Sequence, residues 1–202
     1  MLFAIITVVA GYLLGNLNGA VCVSHLLGDD VRSHGSGNAG LTNFIRNYGA
    51  GKAALVILID AGKAVVGCVL GGFLLRTVWG FQTGAALGGA AVMLGHVFPA
   101  FLGFRGGKGI LSGFFIAIIT DYRVAIAILA VFALVYFLTR YVSLASVLAA
   151  VTFGVMFTIL HHHSIIMMMC GIFMSALAVF MHRQNIGRLL KGEERKTDLF
   201  KK

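Results

Sequence analysis

Three short polar stretches carry most of the side chains in this chain that could do chemistry. The first is GSGNAGLTNFIR, residues 35–46. Gly35, Gly37 and Gly40 permit positive φ and let successive backbone N–H groups face one side, as in an anion-binding nest. Ser36, Asn38, Thr42 and Asn43 add neutral donors, and Arg46 adds a planar fork suited to phosphate. A helix starting near Asn38 to Thr42 would aim its N-terminus at the same anion. The second stretch is GHVFPAFLGFRGGKG, residues 95–109. Gly106, Gly107 and Gly109 surround Lys108, so backbone amides stand beside a point charge. This is the logic of a phosphate loop, but without GxxxxGK[ST] or a preceding strand it is not a Walker A motif. His96 reads either as a substrate contact or as a packed or helix-capping histidine. The third stretch is MHRQNIGRLLKGEE, residues 181–194, a short amphipathic helix in which His182 and Asn185 share a face. Together the three predict a site for two anionic ligands near a lipid boundary.

Those stretches must be held by apolar elements. Of 202 residues, 59% are hydrophobic and 11% charged, and the mean hydropathy is +0.94. A soluble domain carries roughly 25% charged residues. Apolar runs close to the ~20 residues that cross a bilayer recur along the chain, without the alternation of barrel strands. The fold class expected is an all-α polytopic membrane protein, a single integral-membrane domain over residues 1–202. Candidate spans are 1–27, 53–75, 84–102, 110–120, 124–139, 142–160 and 164–181. The first contains GNLNG at 15–19, which can break it. The fourth and fifth are short and could merge into one kinked span, although Asp121-Tyr122-Arg123 looks like a turn. Seven is the expected count, with five or six as alternatives. The first run has no basic n-region and no A-x-A site, so it reads as a retained span.

Charge orients the spans. With the N-terminus outside, segments 28–52, 103–109, 140–141 and 182–202 lie inside and hold thirteen of the sixteen Lys and Arg residues. Only Arg76 and Arg123 fall on outer connections, and Lys63 lies within a span. The three polar stretches then share the cytoplasmic face. The net charge of +9 follows from this topology, so no nucleic-acid partner is expected. A basic tail on anionic lipid explains part of Lys196 to Lys202, but not His182 and Asn185. Asp60 and Lys63, three apart in the second candidate span, form an expected inward-facing pair of either structural or functional purpose. Cys22, Cys68 and Cys170 lack any CxxC pattern and read as small hydrophobes.

In order and spacing, the three stretches resemble the bacterial membrane-integral acyl-phosphate:glycerol-3-phosphate acyltransferases over nearly the whole chain. The resemblance implies about seven transmembrane helices, an outside N-terminus, a cytoplasmic C-terminus and active-site loops facing the cytoplasm from the bacterial plasma membrane. It implies acyl transfer from acyl phosphate to the 1-hydroxyl of glycerol 3-phosphate, giving lysophosphatidic acid. Its motifs map catalytic roles onto Ser36, Arg46, His182 and Asn185. Substrate-binding roles map onto Asn38, Gly106, Gly107, Lys108, Gly109 and Ser143, and a structural glutamate onto Glu193 or Glu194; the reading of the residues themselves adds Gly35, Gly37, Thr42, Asn43 and His96 to the binding set. Acyl phosphate is a mixed anhydride, so no strong protein nucleophile is needed; the site must position two anions and stabilise the leaving phosphate. A substrate phosphate oxygen is the implied proton acceptor, with His182 as second choice. No cofactor and no metal is expected, and an enzyme that produces acyl phosphate is a candidate partner. The chain departs from the family pattern at Ile110-Leu111-Ser112 after the lysine loop, at Ala64 after Lys63, and in lacking a proline near GNLNG.

Other readings compete. His25 to Asp30 satisfies HxxxxD, the motif of a different, thioester-using acyltransferase class; the other motifs of that class are absent, so the match reads as chance. An anion transporter would use Asp60 and Lys63 as gating charges, but no repeated broken helices mark two halves. A CDP-alcohol phosphotransferase would need a run of spaced aspartates that the chain lacks. His161-His162-His163 reads as a polar outer loop, with a metal site the lesser alternative, and Met167-Met168-Met169 as packed or lipid-facing hydrophobe.

Overall fold

The computed structural model describes residues 1–196; Lys201 and Lys202 of the basic tail lie outside them. Every regular element among the described residues is helical. The helices are α1 (Leu2–Gly15), α2 (Gly19–Leu26), α3 (Leu41–Tyr48), α4 (Ala50–Leu75) and α5 (Phe81–Val97), then α6 (Ile110–Thr120), α7 (Tyr122–Thr139), α8 (Val142–Leu160), α9 (Ile165–Met181) and α10 (Arg183–Leu190). Local chemistry sets their ends. The Asn18 side chain accepts the Val21 N–H at 3.0 Å and starts α2. Asp121 accepts the Arg123 N–H at 3.0 Å and starts α7, so residues 110–139 form two helices rather than one. Gly49, at φ +84°, separates α3 from α4, a turn that only glycine makes without strain.

Five helical segments are long and apolar enough to cross a membrane: Leu2–Leu26, Ala50–Leu75, Phe81–Leu102, Tyr122–Thr139 and Val142–Leu160. A sixth arises if α9 and α10, bent by 55°, form one span. The remaining apolar helix, α6, has 11 residues and reaches about 16 Å, short of the ~30 Å hydrocarbon core. Each of the seven expected runs is thus helical, but five or six qualify as full crossings.

The chain divides into two compact units, residues 1–120 and 121–202. In the first, α5 packs against α1, α4 and α6. Lipid tails give no hydrophobic drive for helix association, so close backbone approach must supply it. Small residues permit that here: a Cβ on Gly15 would sit 2.7 Å from Gly95 Cα, and one on Gly84 would sit 2.9 Å from the Gly71 carbonyl carbon. Val31 and Ala39 of the polar loop of residues 28–40 pack with Val21 of α2, Phe44 of α3 and Val56 of α4 in a buried cluster. In the second unit, α8 packs against α7 and α9, and α10 against both α8 and α9. Phe153 and Phe157 stack at 5.2 Å within it. Cys68 and Cys170 are buried and unpaired, as small hydrophobes would be, and Cys22 is half-buried.

Candidate active site

The first unit is organised around the break between α1 and α2. Leaving the helix at Asn16 to Asn18 frees backbone groups that lipid cannot satisfy. Buried Asp60 and Lys63 of α4 do so instead. Asp60 Oδ1 accepts the Gly19 N–H at 3.1 Å, and Lys63 Nζ donates to the Leu17 carbonyl and, at 3.4 Å, to the Gly15 carbonyl. The two side chains pair at 2.8 Å. The pair therefore caps a helix break, which removes the gating charges a transporter would need. The asparagines of the break carry the two polar loops. Asn18 Nδ2 donates to the Ala39 carbonyl at 3.0 Å in the first. Asn16 Oδ1 accepts the Phe101 N–H at 3.1 Å in the second. Reading GNLNG only as a helix break missed these roles, although two asparagines inside an apolar run were themselves a signal.

The first loop is internally braced. Asn43 is buried and fully engaged: its Nδ2 donates to the carbonyls of Val31 and His34 at 3.0 Å each. Its Oδ1 accepts the Ser36 N–H at 3.0 Å and Asn47 Nδ2 at 3.2 Å. Contrary to the sequence reading, Asn43 shapes the loop rather than offering donors to a ligand. Gly35 and Gly37 do take positive φ, +58° and +69°. Gly40 does not: it is extended at φ −138°, where it caps α3. Helix α3 begins at Leu41, so Thr42 stands in its first turn and Arg46 in its last, exposed. Ser36 is exposed and Asn38 half-buried. Asp30 grips Arg32 through both oxygens, with Nη2 to Oδ2 at 2.7 Å. Those bonds hold its carboxyl well below the usual range. Arg32 Nη1 then donates to the Leu102 carbonyl at 3.0 Å, tying the two loops together.

The second loop departs from the open-amide expectation. Gly106 N–H bonds the Val97 carbonyl at 3.2 Å and Gly107 N–H the His96 carbonyl at 3.1 Å. Two of the amides expected to face phosphate thus splice the loop onto the end of α5. The glycines are required because the backbone lies in contact with its neighbours. A Cβ on Gly106 would meet the His96 carbonyl oxygen, and one on Gly107 would meet His96 Nε2 and lie 2.9 Å from the Ala39 oxygen. His96 is buried, and its Nδ1 lies 2.7 Å from Lys63 Nζ. The lysine donates, so the ring proton sits on Nε2. His96 is accordingly a packed histidine that supports the loop, one of the two roles open from sequence. Lys108 is half-buried, and Gly109, at φ +79°, leads into α6.

The second unit gathers the third stretch with Ser143. Buried His182 ends α9, with Nδ1 2.8 Å from the Ala178 carbonyl. A carbonyl only accepts, so Nδ1 carries the proton and Nε2 is the basic nitrogen of the neutral ring. After α10 the chain reverses through Gly192, at φ +72°, and brings back Glu194. That carboxylate accepts from Asn185 Nδ2 and Arg188 Nε, each at 2.7 Å. Burial alone would raise its pKa; bonds from Asn185 and Arg188, with the Ser143 hydroxyl nearby, outweigh this and hold it low. The Ser143 hydroxyl lies close enough to act on Glu194 without completing a well-aligned hydrogen bond. Of the two glutamates left open, Glu194 braces α10 and Glu193 is exposed. A carboxyl depressed on folding stabilises the protein above the unfolded value, 4.5, and ceases to do so as pH falls through the folded pKa. Glu194→Gln should therefore lower the melting temperature by about 2–4 °C at pH 7. The gap to the parent protein should shrink toward pH 4, and a thermal melt at both pH values checks it.

Two sequence alternatives are also placed. His25 Nε2 does approach Asp30, at 3.6 Å, but His25 is exposed and the carboxylate belongs to Arg32. His161 is buried with Nε2 3.2 Å from Asp121 Oδ2, close but without completing a well-aligned hydrogen bond, so one histidine of the triplet lies where the end of α8 meets the start of α7.

Comparison with known proteins gives the family and the fold. The sequence pattern of the family described as glycerol-3-phosphate acyltransferase matches residues 5–192. The glycerol-3-phosphate acyltransferase of Thermoanaerobacter sp. (strain X514) is 37% identical over 96% of both chains. That of Caulobacter vibrioides (strain NA1000 / CB15N) is 38% identical over 95% of this chain and 86% of its own. The crystal structure of PlsY (YgiH), an integral membrane glycerol 3-phosphate acyltransferase, in its glycerol 3-phosphate form superposes with a TM-score of 0.87 at 31% identity, covering 98% of this chain and 99% of that one. Its lysophosphatidic acid form gives 0.83 at 31%, over 96% and 95%. The two braced loops, the capped break beneath them and the match along almost the whole length together make this chain an acyltransferase that belongs to the glycerol-3-phosphate acyltransferase family.

Proposed function

We propose that this chain transfers a fatty acyl group from acyl phosphate to the 1-hydroxyl of glycerol 3-phosphate. The products are lysophosphatidic acid and phosphate, in the first acylation of phospholipid biosynthesis. The supporting observation is the contact at Gly107, where the lysine loop and the Ser36–Arg46 loop lie against each other. Two polar segments that carry Arg46 and Lys108, brought together, suit a pair of phosphate-bearing substrates. In the reaction the 1-hydroxyl oxygen attacks the acyl carbon and the acyl carbon–oxygen bond to phosphate breaks. The hydroxyl proton passes to a substrate phosphate oxygen, and phosphate leaves. No covalent enzyme intermediate is needed, because the anhydride is already activated; the protein contributes position and charge stabilisation.

In this reading Ser36, Arg46, His182 and Asn185 act on the reacting groups, with His182 Nε2 as the second candidate for the base. Gly35, Gly37, Asn38, Thr42, Lys108, Gly109 and Ser143 contribute to binding, and Asn43, His96, Gly106 and Gly107 hold the loops in shape. The whole chain acts as one membrane domain of seven crossings, α6 being a short one. Its N-terminus lies outside, and its active-site loops face the cytoplasm from the bacterial plasma membrane. An enzyme that makes acyl phosphate is the natural supplier. Purified protein offered glycerol 3-phosphate with either acyl phosphate or acyl-CoA should form lysophosphatidic acid from acyl phosphate. Product from acyl-CoA alone overturns the donor, and no product from either overturns the reaction.

A further inference from the structure

Outside the hydrogen bonds already described, a second set grips the first loop from its solvent side. Asp29 stands between α2 and the turn at Val31–Ser33. Its Oδ2 accepts the Tyr48 hydroxyl at 2.9 Å, and His34 Nε2 lies 3.0 Å from its Oδ1 and 2.9 Å from its Oδ2. Tyr48 cannot swing freely, because its ring stacks at 4.8 Å on fully buried Phe44. The His34 and Tyr48 rings also meet edge to face at 6.2 Å. One carboxylate therefore joins the residue just before Gly35-Ser36 to a residue two positions after Arg46. The segment so closed has glycines at positive φ at its start and just beyond its end, Gly35 and Gly37 at one side and Gly49 at the other. Such glycines leave the backbone many conformations to lose when a ligand binds. Asn43 fixes the middle of this segment, and Asp29 ties its two ends. Hydrogen bonds from His34 first, and Tyr48 second, hold the Asp29 carboxyl below its usual range, as expected of an acceptor for both.

We propose that Asp29, His34 and Tyr48 form a clamp that pre-positions the Ser36–Arg46 loop for its phosphate-bearing substrate. None of the three touches the reacting atoms; they are positioning residues, and the inference rests on the acyl transfer proposed above. A clamp that removes conformations from the free loop raises affinity without adding a contact. Its loss therefore appears in KM more than in kcat.

The test uses the full-length protein in detergent or lipid, with steady-state kinetics for acyl phosphate and glycerol 3-phosphate. Asp29→Asn, His34→Ala and Tyr48→Phe should each raise KM for at least one substrate about three- to tenfold, the worth of one hydrogen bond. The expected kcat stays within about twofold. Tyr48→Phe keeps the stack on Phe44, so its effect reports the hydroxyl alone. His34→Gln retains a donor and should recover much of the loss. The double variant Asp29→Ala/Tyr48→Phe should be no worse than Asp29→Ala, since alanine already removes the acceptor of the Tyr48 hydroxyl. Amide hydrogen exchange over residues 34–48 in the substrate-free protein should quicken in the clamp variants. Unchanged KM for both substrates, additive effects or unchanged exchange each overturn the clamp. An absence of acyl transfer by the unaltered protein would overturn the function instead, and hydrogen exchange would still decide the clamp.

Discussion

Asp60→Ala should be among the most destabilising single changes in this chain. It leaves the Lys63 ammonium buried without its carboxylate and the Gly19 N–H without its acceptor. Removing one partner of a buried pair costs about 3–5 kcal/mol, which corresponds to a melting temperature roughly 10 °C lower in a chain of this size. The informative control is the double variant Asp60→Leu/Lys63→Met. Where a buried pair only neutralises itself, replacing both partners by apolar groups is often neutral or stabilising. Here the pair also serves Gly19 N–H and the carbonyls of Gly15 and Leu17. Those groups would be stranded in an apolar setting at about 1–3 kcal/mol each. The double variant should therefore remain clearly destabilised, and recovery to the parent melting temperature would show that the pair does not cap the break. Acyl transfer should fall along with stability, because Asn16 and Asn18 of the same break carry Phe101 and Ala39 of the two loops.

What was legible beforehand follows the range of the interactions. Hydrophobic runs and caps are local, so the helices stand within a few residues of the expected runs; α6 and α8 begin and end where 110–120 and 142–160 were drawn. The break at GNLNG was legible for the same reason. Its repair was not, because Asp60 and Lys63 lie more than forty residues further on, and periodicity says which residues share a face but not which carbonyl they meet. The same limit explains Asn43, Gly106 and Gly107. Residue type announced donors and flexible backbone near an anion. Only the fold reveals that Asn43 is engaged by Val31, His34 and Ser36, and that the two glycine amides bond the end of α5. A glycine-rich loop can thus be conformationally demanding for two unlike reasons. Gly35 and Gly37 are needed for positive φ, whereas Gly106 and Gly107 are needed for space.

That second reason makes Gly107→Ala the most damaging change expected for catalysis. The new methyl would press on His96 Nε2 and lie 2.9 Å from both His96 Cε1 and the Ala39 oxygen. Neither neighbour can yield easily. His96 is held by Lys63 at 2.7 Å and buried among α5 and α4, and the Ala39 carbonyl is held by Asn18 at 3.0 Å. The lysine loop is the part left to move, and with it Lys108 and the seam between the two loops. A shift of about 1 Å in a positioning group costs on the order of 100-fold in rate. We therefore expect Gly107→Ala to lower kcat/KM by about that factor while the protein still folds and melts cooperatively. Gly113→Ala is the matched control: this glycine lies inside α6 with nothing within 4 Å of the added methyl. Alanine there should leave turnover unchanged and favour the helix by up to about 1 kcal/mol. Near-parent activity in Gly107→Ala would mean that the two loops need not lie in contact at this point for acyl transfer, and the support for a two-phosphate site would fail with it.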